Sequence, residues 1–267
     1  MVKQFLIRHK ECAGACIQGE RLSQEDYFDF DNSKPQDFLM TLADGMGGHQ
    51  GGAYASHYAI KAFMDSYYVT SGSVVKRLWQ ALQQANCQLA LQSQLVQELT
   101  GMGCTLVGVV FDGEQLEWIS VGDSPLWLYH AGRLQRLNAD HSMKPLLQEL
   151  VECGELTHQE ATRHPDRNML RSALTGTQIE LIDYSSMPLK LSPDDRILLA
   201  SDGIFSLSEL EISHILQQNL SAKQLVKELL EAVEAKQNPS QDNTTILVVK
   251  IPSESHRTEK KKFSFHS

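Results

Sequence analysis

The segment FLMTLADGMGGHQGG, residues 38–52, decides how the chain is built. Its first half is an apolar run as long as a buried strand and its second half is rich in glycine, which predicts a strand that runs into a tight loop. Asp44 lies at the junction of the two halves. A carboxylate at the end of a strand can lean over the edge of a sheet, so this junction is a candidate functional site.

The same arrangement recurs three times further along the chain. An apolar run and a turn meet at Asp123 in VGDS, at Asp202 in ASDG and at Asp242 in QDN. One such aspartate alone could simply cap a turn, because aspartate commonly does so. Four of them, with no His or Cys cluster nearby, predict a site of oxygen ligands for a hard cation such as Mg²⁺ or Mn²⁺ and disfavour zinc.

Apolar periodicity predicts the elements around these turns. Three- and four-residue steps predict helices near 56–67, 74–89 and 225–233, each with one apolar face. The predicted strands lie at 103–137, as a meander of consecutive antiparallel strands, and at 179–184, 196–200 and 244–251. Strand runs and helix runs segregate along the chain, so we expect an α+β fold with helices layered on antiparallel sheets.

Charge and cysteine content exclude several classes of protein. The formal net charge of -9 repels phosphate backbones, so nucleic acid is not an expected partner. The five cysteines are odd in number and lack C-x-x-C spacing, which argues against disulfides and structural zinc and favours a cytoplasmic protein. No apolar run approaches the ~20 residues of a membrane-spanning helix. Residues 1–252 are expected to form one domain, followed by a polar, basic, disordered tail at 253–267.

The order of the motifs resembles the PPM, or type 2C, family of serine/threonine protein phosphatases, in its bacterial form. The matching segments are RLSQEDYF at 21–28, LADGMGGHQGG at 42–52, GMGCTLVGVVF at 101–111, VGDSPLWLY at 121–129, NADHS at 138–142, ASDGIF at 200–205 and QDNTTILVV at 241–249. The resemblance implies a four-layer α/β/β/α sandwich, in which two packed antiparallel sheets are flanked by helices.

The resemblance also implies a set of metal ligands. Asp44 would bridge two Mn²⁺ or Mg²⁺ ions, and the backbone carbonyl of Gly45 would complete one of the two sites. Asp202 and Asp242 would hold the first ion. Asp123 would bind a third, weaker ion. The two main ions would share and activate a water molecule for attack on a phosphoester.

Further residues receive supporting roles from the resemblance. Glu25 and Asp26 would hold metal-bound waters around the second ion, and Asn243 would orient its neighbour. Arg21 would clamp the phosphate, which suits the fixed, parallel donors of a guanidinium. The expected partner is a phosphorylated protein, the substrate of a cognate serine/threonine kinase, and we expect the phosphatase to be a monomer.

Two positions depart from the family pattern. Pro125 follows GDS where many relatives have Arg, so any salt bridge of that Arg is absent. Met46 stands where animal members carry a His proposed as the general acid. The general acid is therefore unassigned, with His49 and His141 as candidates that could equally make only structural hydrogen bonds.

Other functions fit the sequence less well. None of the cysteines is followed six residues later by Arg, which excludes cysteine-dependent phosphatases. Asp29, Phe30 and Asp31 resemble the D-x-D of aspartyl-phosphate phosphatases but lie among polar residues without the partner motifs, and no kinase signature is present. A pseudophosphatase that only binds phosphoprotein is the remaining alternative, and the complete set of aspartates argues against it.

Overall fold

The computed structural model describes residues 3–7, 10–31, 37–47 and 51–252, with side chains from Glu11 onward. The strands are β1 (Lys3–Ile7), β2 (Lys10–Ile17), β3 (Tyr27–Asp31), β4 (Phe38–Ala43), β5 (Gly45–Met46), β6 (Gly103–Cys104), β7 (Leu106–Phe111), β8 (Gln115–Val121), β9 (Leu126–His130), β10 (Arg133–Arg136), β11 (Asp183–Tyr184), β12 (Leu189–Lys190), β13 (Arg196–Ala200) and β14 (Thr244–Lys250). The helices are α1 (Gly51–Val69), α2 (Val74–Leu95), α3 (Lys144–Glu152), α4 (His158–Arg163), α5 (Glu209–Gln217) and α6 (Ala222–Ala235). The predicted tail and His49 lie outside the described residues.

The strands form two large antiparallel sheets and one small ribbon. The first sheet has the order β1-β2-β14-β13-β9-β10. The second has the order β11-β8-β7-β4-β3, and β12 also pairs with β8. The ribbon pairs β5 with β6 and continues directly from the end of β4, so it lies where Asp44 leaves the second sheet.

Alternation along the strands produces four layers. In β13, Ile197 and Leu199 belong to the core between the two sheets, whereas Leu198 and Ala200 pack under α5 and α6. Successive side chains of a strand point to opposite faces, so a strand that is apolar at every position must be covered on both sides. Helices α1 and α2 cover the second sheet in the same way. The expected α/β/β/α sandwich is confirmed.

The predicted meander at 103–137 is wrong in its connections. Strands β7 and β8 pair in the second sheet, but β9 and β10 pair with each other in the first. The GDSP turn after β8 therefore carries the chain from one sheet to the other. Gly122 takes a φ of +103° in this turn, a conformation that side chains disfavour. The predicted strand at 179–184 is also shorter, because only Asp183 and Tyr184 pair with β8.

Local capping determines where most helices begin. The side chains of Ser208 and Ser221 each accept a hydrogen bond from the N–H of the third helical residue. The side chain of that residue in turn accepts a hydrogen bond from the backbone N–H of the cap serine. Such capping boxes satisfy backbone donors that the helix leaves unpaired. Helix α3 begins differently: Met143, at the cap position, makes no side-chain cap bond, and the N–H of the first helical residue, Lys144, donates to the Ser142 hydroxyl at 3.2 Å. Among the described helices, none is long and apolar enough to cross a membrane.

Candidate metal centre and active-site cleft

The acidic residues predicted from the sequence converge at one end of the two sheets. Asp44 follows β4 and Asp123 follows β8 in the second sheet, while Asp202 follows β13 and Asp242 precedes β14 in the first. All four line a single cleft of about 1510 Å³. Both sheets therefore contribute carboxylates to the same space, as the strand-end pattern predicts.

The surroundings of Asp44 fix its backbone and disfavour the ionised form of its carboxyl group. Its N–H donates to the Thr105 hydroxyl at 2.9 Å, and its carbonyl accepts from the Thr105 N–H at 2.8 Å. The Thr105 hydroxyl also bonds to that of Ser124 at 2.8 Å. Burial, followed by repulsion from the neighbouring aspartates, raises the pKa of Asp44 well above its usual range.

Two buried carboxylate oxygens have no hydrogen-bond donor in the part of the chain that the structure describes: Asp26 Oδ1 and Asp202 Oδ1. The pKa of Asp202 rises to about 7 because of burial and then of repulsion from Asp123 and Asp242. Buried polar atoms are normally satisfied, so unpaired oxygens on charged, mutually repelling groups are what a cation would satisfy. The residues present fit a pair of hard divalent ions.

Asp26 is more deeply buried than Glu25, the predicted site residue beside it. Its Oδ2 accepts from the hydroxyls of Ser201 at 2.7 Å and Thr245 at 2.8 Å. Burial raises the pKa of Asp26 to about 6, although these two hydrogen bonds oppose the rise. The side chain is 6% exposed, and among the described residues it is absent from the cleft lining. Asp26 therefore lies beneath the residues that line the cleft.

Glycine brings the Glu25 loop and the start of α1 into close contact. A Cβ at Gly45 would lie 2.1 Å from the Gly52 carbonyl oxygen, and a Cβ at Gly52 would lie 2.0 Å from Glu25 Oε2. Ser23 donates to the other Glu25 oxygen at 2.9 Å. Neither glycine can be replaced without moving backbone, which explains the glycine-rich sequence after Asp44.

Asn243 links the 18–25 loop to β14. Its side-chain amide donates to the carbonyls of Gln18 at 2.8 Å and Ser23 at 2.9 Å, and its carbonyl accepts from the Glu25 N–H at 2.8 Å. Its own N–H donates to Asp242 Oδ1 at 2.8 Å. The role of orienting Asp242 stays a prediction, because only the Asn243 backbone bonds to Asp242, whereas its side chain holds Glu25 at the cleft.

Two cations pair with the acidic cluster. Arg21 Nη2 lies 2.5 Å from Asp242 Oδ2, with the Arg21 side chain 60% exposed. Lys144 Nζ lies 3.2 Å from Asp123 Oδ2, with both side chains largely buried. Sequence reasoning predicted Arg21 but missed Lys144, Thr105 and Ser201, because nothing in their local sequence marks them as hydrogen-bond partners of aspartates elsewhere in the chain.

The two departures from the family pattern have different surroundings. Pro125 continues into β9, and its carbonyl accepts from the Ala200 N–H at 3.1 Å. Arg136 reaches this turn instead, donating to the Asp123 carbonyl at 2.8 Å. Met46 lines the cleft. His141 accepts from the Gly122 N–H through Nδ1 at 3.2 Å and, within the described residues, is not part of the cleft lining, so it has a structural role here.

Among the described residues, no three Asp, Glu, His or Cys side chains are placed to hold one ion together. Gly45 also lines the cleft, and Mg²⁺ keeps several waters when bound, so a site for it need not be completed by side chains. The fold and the cleft together define a class of protein, one with an oxygen-lined divalent-cation site at the end of a β sandwich.

Comparison with known proteins identifies the family. Residues 14–247 match the family described as Protein phosphatase 2C. The chain is 32% identical over 228 residues to the serine/threonine phosphatase stp of Listeria monocytogenes, which covers 82% of this chain and 86% of the relative. The crystal structure of the Mycobacterium tuberculosis serine/threonine phosphatase PstP/Ppp matches with a TM-score of 0.77 and 30% identity, covering 91% of this chain and 99% of that one.

A second solved structure bears on the metal. The catalytic domain of PstP in complex with two manganese ions matches with a TM-score of 0.75 and 28% identity, over 91% of this chain and 99% of that one. This chain belongs to the protein phosphatase 2C family, the metal-dependent serine/threonine protein phosphatases, whose cofactor is Mn²⁺ or Mg²⁺.

Proposed function

We propose that this protein hydrolyses phosphoserine and phosphothreonine in proteins, using water activated at a centre of two Mn²⁺ or Mg²⁺ ions. The observation that carries the proposal is the convergence of Asp44, Asp202 and Asp242 on one cleft, where a buried oxygen of Asp202 has no hydrogen-bond partner among the described residues. A group of carboxylates that repel one another is costly to fold, so its presence favours an enzyme over a protein that only binds phosphoprotein.

The proposed ligands follow from the cleft. Asp44 would be shared by the two ions, the Gly45 carbonyl would complete one site, and Asp202 and Asp242 would hold the first ion. When bound, the ions supply Lewis acidity, which lowers the pKa of a water and offsets charge on the phosphoryl oxygens. Thr105 fixes the backbone of Asp44 on both sides, so this carboxylate can be shared without a large change in its position.

Arg21 is the proposed phosphate clamp. Its guanidinium lies at the cleft and donates to Asp242 through one nitrogen. Exposed ion pairs of this kind contribute only about 0–1 kcal/mol, so the side chain can exchange Asp242 for a phosphoryl group at little cost. A dianionic phosphoryl group is the stronger acceptor and takes parallel donors from a guanidinium.

The remaining acidic residues have proposed supporting roles. Glu25 and Asp26 hold waters around the second ion, Glu25 from the cleft wall and Asp26 from below. Asn243 keeps Glu25 and Asp242 in register. The family resemblance offers Asp123 as the ligand of a third, weaker ion, but Lys144 already pairs with this carboxylate.

The shape of the cleft suits a protein substrate. Its volume of about 1510 Å³ exceeds the roughly 300–1,000 Å³ of a small-molecule pocket. The exposed apolar side chains of Leu22 and Met169 line it and could contact residues beside the phosphorylated one. We further propose a phosphoprotein made by an opposing kinase as substrate, a monomeric catalytic domain over residues 1–252, and a cytoplasmic location.

Phosphate release from a phosphothreonine peptide tests the proposal. We expect turnover with Mn²⁺ that stops with excess chelator and is lost in Asp202→Asn. Asp65→Asn, an exposed position on α1, is the matched control and should retain full activity. No turnover with any divalent ion from a folded protein would contradict the proposal and favour the pseudophosphatase. Full activity in Asp202→Asn would contradict the assignment of the site.

A further inference from the structure

Lys144 places a positive charge inside the acidic centre. Its Nζ lies 3.2 Å from Asp123 Oδ2, and the side-chain exposures are 19% and 5%, so water screens this pair weakly. Lys144 also lies in a neighbouring groove of about 480 Å³ whose lining includes Asp202 and Asp242. Asp123 itself faces the main cleft. The ammonium thus contacts Asp123 from the neighbouring groove and not from the main cleft.

The position of Lys144 in its helix is unfavourable by local rules. It is the first residue of α3, and the backbone amides at a helix N-terminus carry partial positive charge that repels a cation. No acidic residue lies in the first turn to compensate. Local rules are broken in this way at functional sites, where an interaction elsewhere offsets the cost. Here the compensating partner is Asp123.

Surrounding groups hold the ammonium in one place. Nζ lies 4.8 Å from the centre of the Phe205 ring, which attracts a cation through its face. The Phe205 ring packs edge-on against Trp127 of β9. Arg136 fixes the backbone of Asp123 by donating to its carbonyl at 2.8 Å. Contacts with other residues therefore hold both members of the Lys144–Asp123 pair in place, so Lys144 is not a freely moving surface lysine.

We infer that the Lys144 ammonium takes the place of a divalent ion at Asp123, so that this protein carries a built-in cation there and binds two ions and not three. The inference rests on the proposed function only in that the cleft binds divalent ions. An ion on Asp123 and the ammonium would share one carboxylate, and their mutual repulsion in a largely buried site disfavours having both. Lys144 is thus a positioning residue that acts through Asp123.

Counting bound Mn²⁺ per chain by equilibrium dialysis tests the inference without measuring activity. We expect two ions in the wild-type protein and still two in Asp123→Asn, because Asp123 holds none. Lys144→Met keeps the length of the side chain and removes its charge, so it should bind a third ion. That ion should be lost again in the double variant Lys144→Met/Asp123→Asn. Lys144→Arg, which restores the charge, should return the count to two.

Control variants make each result decisive. Lys227→Met removes an exposed lysine that pairs with Glu231 on α6 and should bind two ions. If Lys144→Met does not fold, as judged by circular dichroism, Lys144→Gln replaces it. A wild-type count of three that falls to two in Asp123→Asn overturns the inference, as does an unchanged count in the neutral Lys144 variant. Phosphate release is measured in parallel, so two bound ions without turnover would contradict only the proposed function.

Discussion

Replacing Asp202 with Asn should stabilise the protein when divalent ions are removed. In the fold, burial and the charges of Asp123 and Asp242 raise the pKa of Asp202 to about 7. In the unfolded chain the same carboxyl group has its ordinary pKa of 3.8. The ionised group is therefore less favourable in the folded protein than in the unfolded one, and an amide of the same shape removes that cost.

The sign of the effect depends on pH. The unfolded chain loses this proton near pH 4 and the folded protein only near pH 7, so the folded state binds more protons in between and its stability falls as pH rises through this window. Below pH 4 the group is neutral in both states and costs nothing. Asp202→Asn should therefore match wild type at pH 4 and exceed it increasingly up to about pH 8.

The magnitude has an upper limit. The difference between 3.8 and about 7, at about 1.36 kcal/mol per pKa unit, corresponds to about 4 kcal/mol at high pH. The neighbouring aspartates share the same protons, so removing one carboxylate relieves part of that amount, on the order of 1–3 kcal/mol. A stabilisation of 1 kcal/mol shifts the melting temperature of a domain this size by roughly 2–4 °C.

Thermal melts in chelator, at intervals from pH 4 to 8, measure this difference. Asp65→Asn is the control and should follow wild type throughout. Adding Mn²⁺ at pH 8 should reverse the order, because an ion that binds only the folded state stabilises wild type more than a variant lacking a ligand. A variant that melts below wild type in chelator at pH 8, or a gap that does not change with pH, would refute the reasoning.

Substitutions at three further positions test other parts of the cleft. Arg21→Ala should raise KM for a phosphopeptide about tenfold or more, with a smaller effect on Mn²⁺ binding. The KM of Arg21→Lys should lie between those of wild type and Arg21→Ala, because lysine keeps the charge but not the parallel donors. Gly45→Ala should cost about 3 kcal/mol or more in urea denaturation, since its Cβ would lie 2.1 Å from the Gly52 oxygen; wild-type stability would contradict this packing. Thr105→Val should cost about 1–3 kcal/mol by leaving the Asp44 N–H unpaired, whereas Thr105→Ser should cost less, and equal losses would argue against the hydrogen bond.

Much of the fold was predictable because its determinants are periodic and local. Steps of three and four residues identified α1 and α2, and both helices bury the predicted face, including Phe63 and Leu82. The acidic strand ends were predictable for the same reason, since each is a short apolar run that ends in a turn. Their convergence on one cleft followed from four repeats of one pattern, at Asp44, Asp123, Asp202 and Asp242.

The connections between sheets were not predictable from local pattern. An apolar run, a turn and a second apolar run look the same whether the strands pair or, as with β8 and β9, belong to different sheets. The residues that contact the predicted aspartates could not be predicted for a related reason. Ser201 and Thr245 contact Asp26 from 175 and 219 residues away, and Lys144 reaches Asp123 across 21. Only the packing of the sheets brings these residues together.

The four carboxylates that line the cleft come from both sheets, which would couple metal binding to the packing of the sandwich. Asp44 and Asp123 extend from the second sheet, and Asp202 and Asp242 from the first. Without cations their repulsion acts between the sheets, against the apolar core that Met40 and Leu199 help to form. Ions bound at the proposed site would convert this repulsion into attraction across the same interface, so the free energy of binding would add directly to the stability of the two-sheet core.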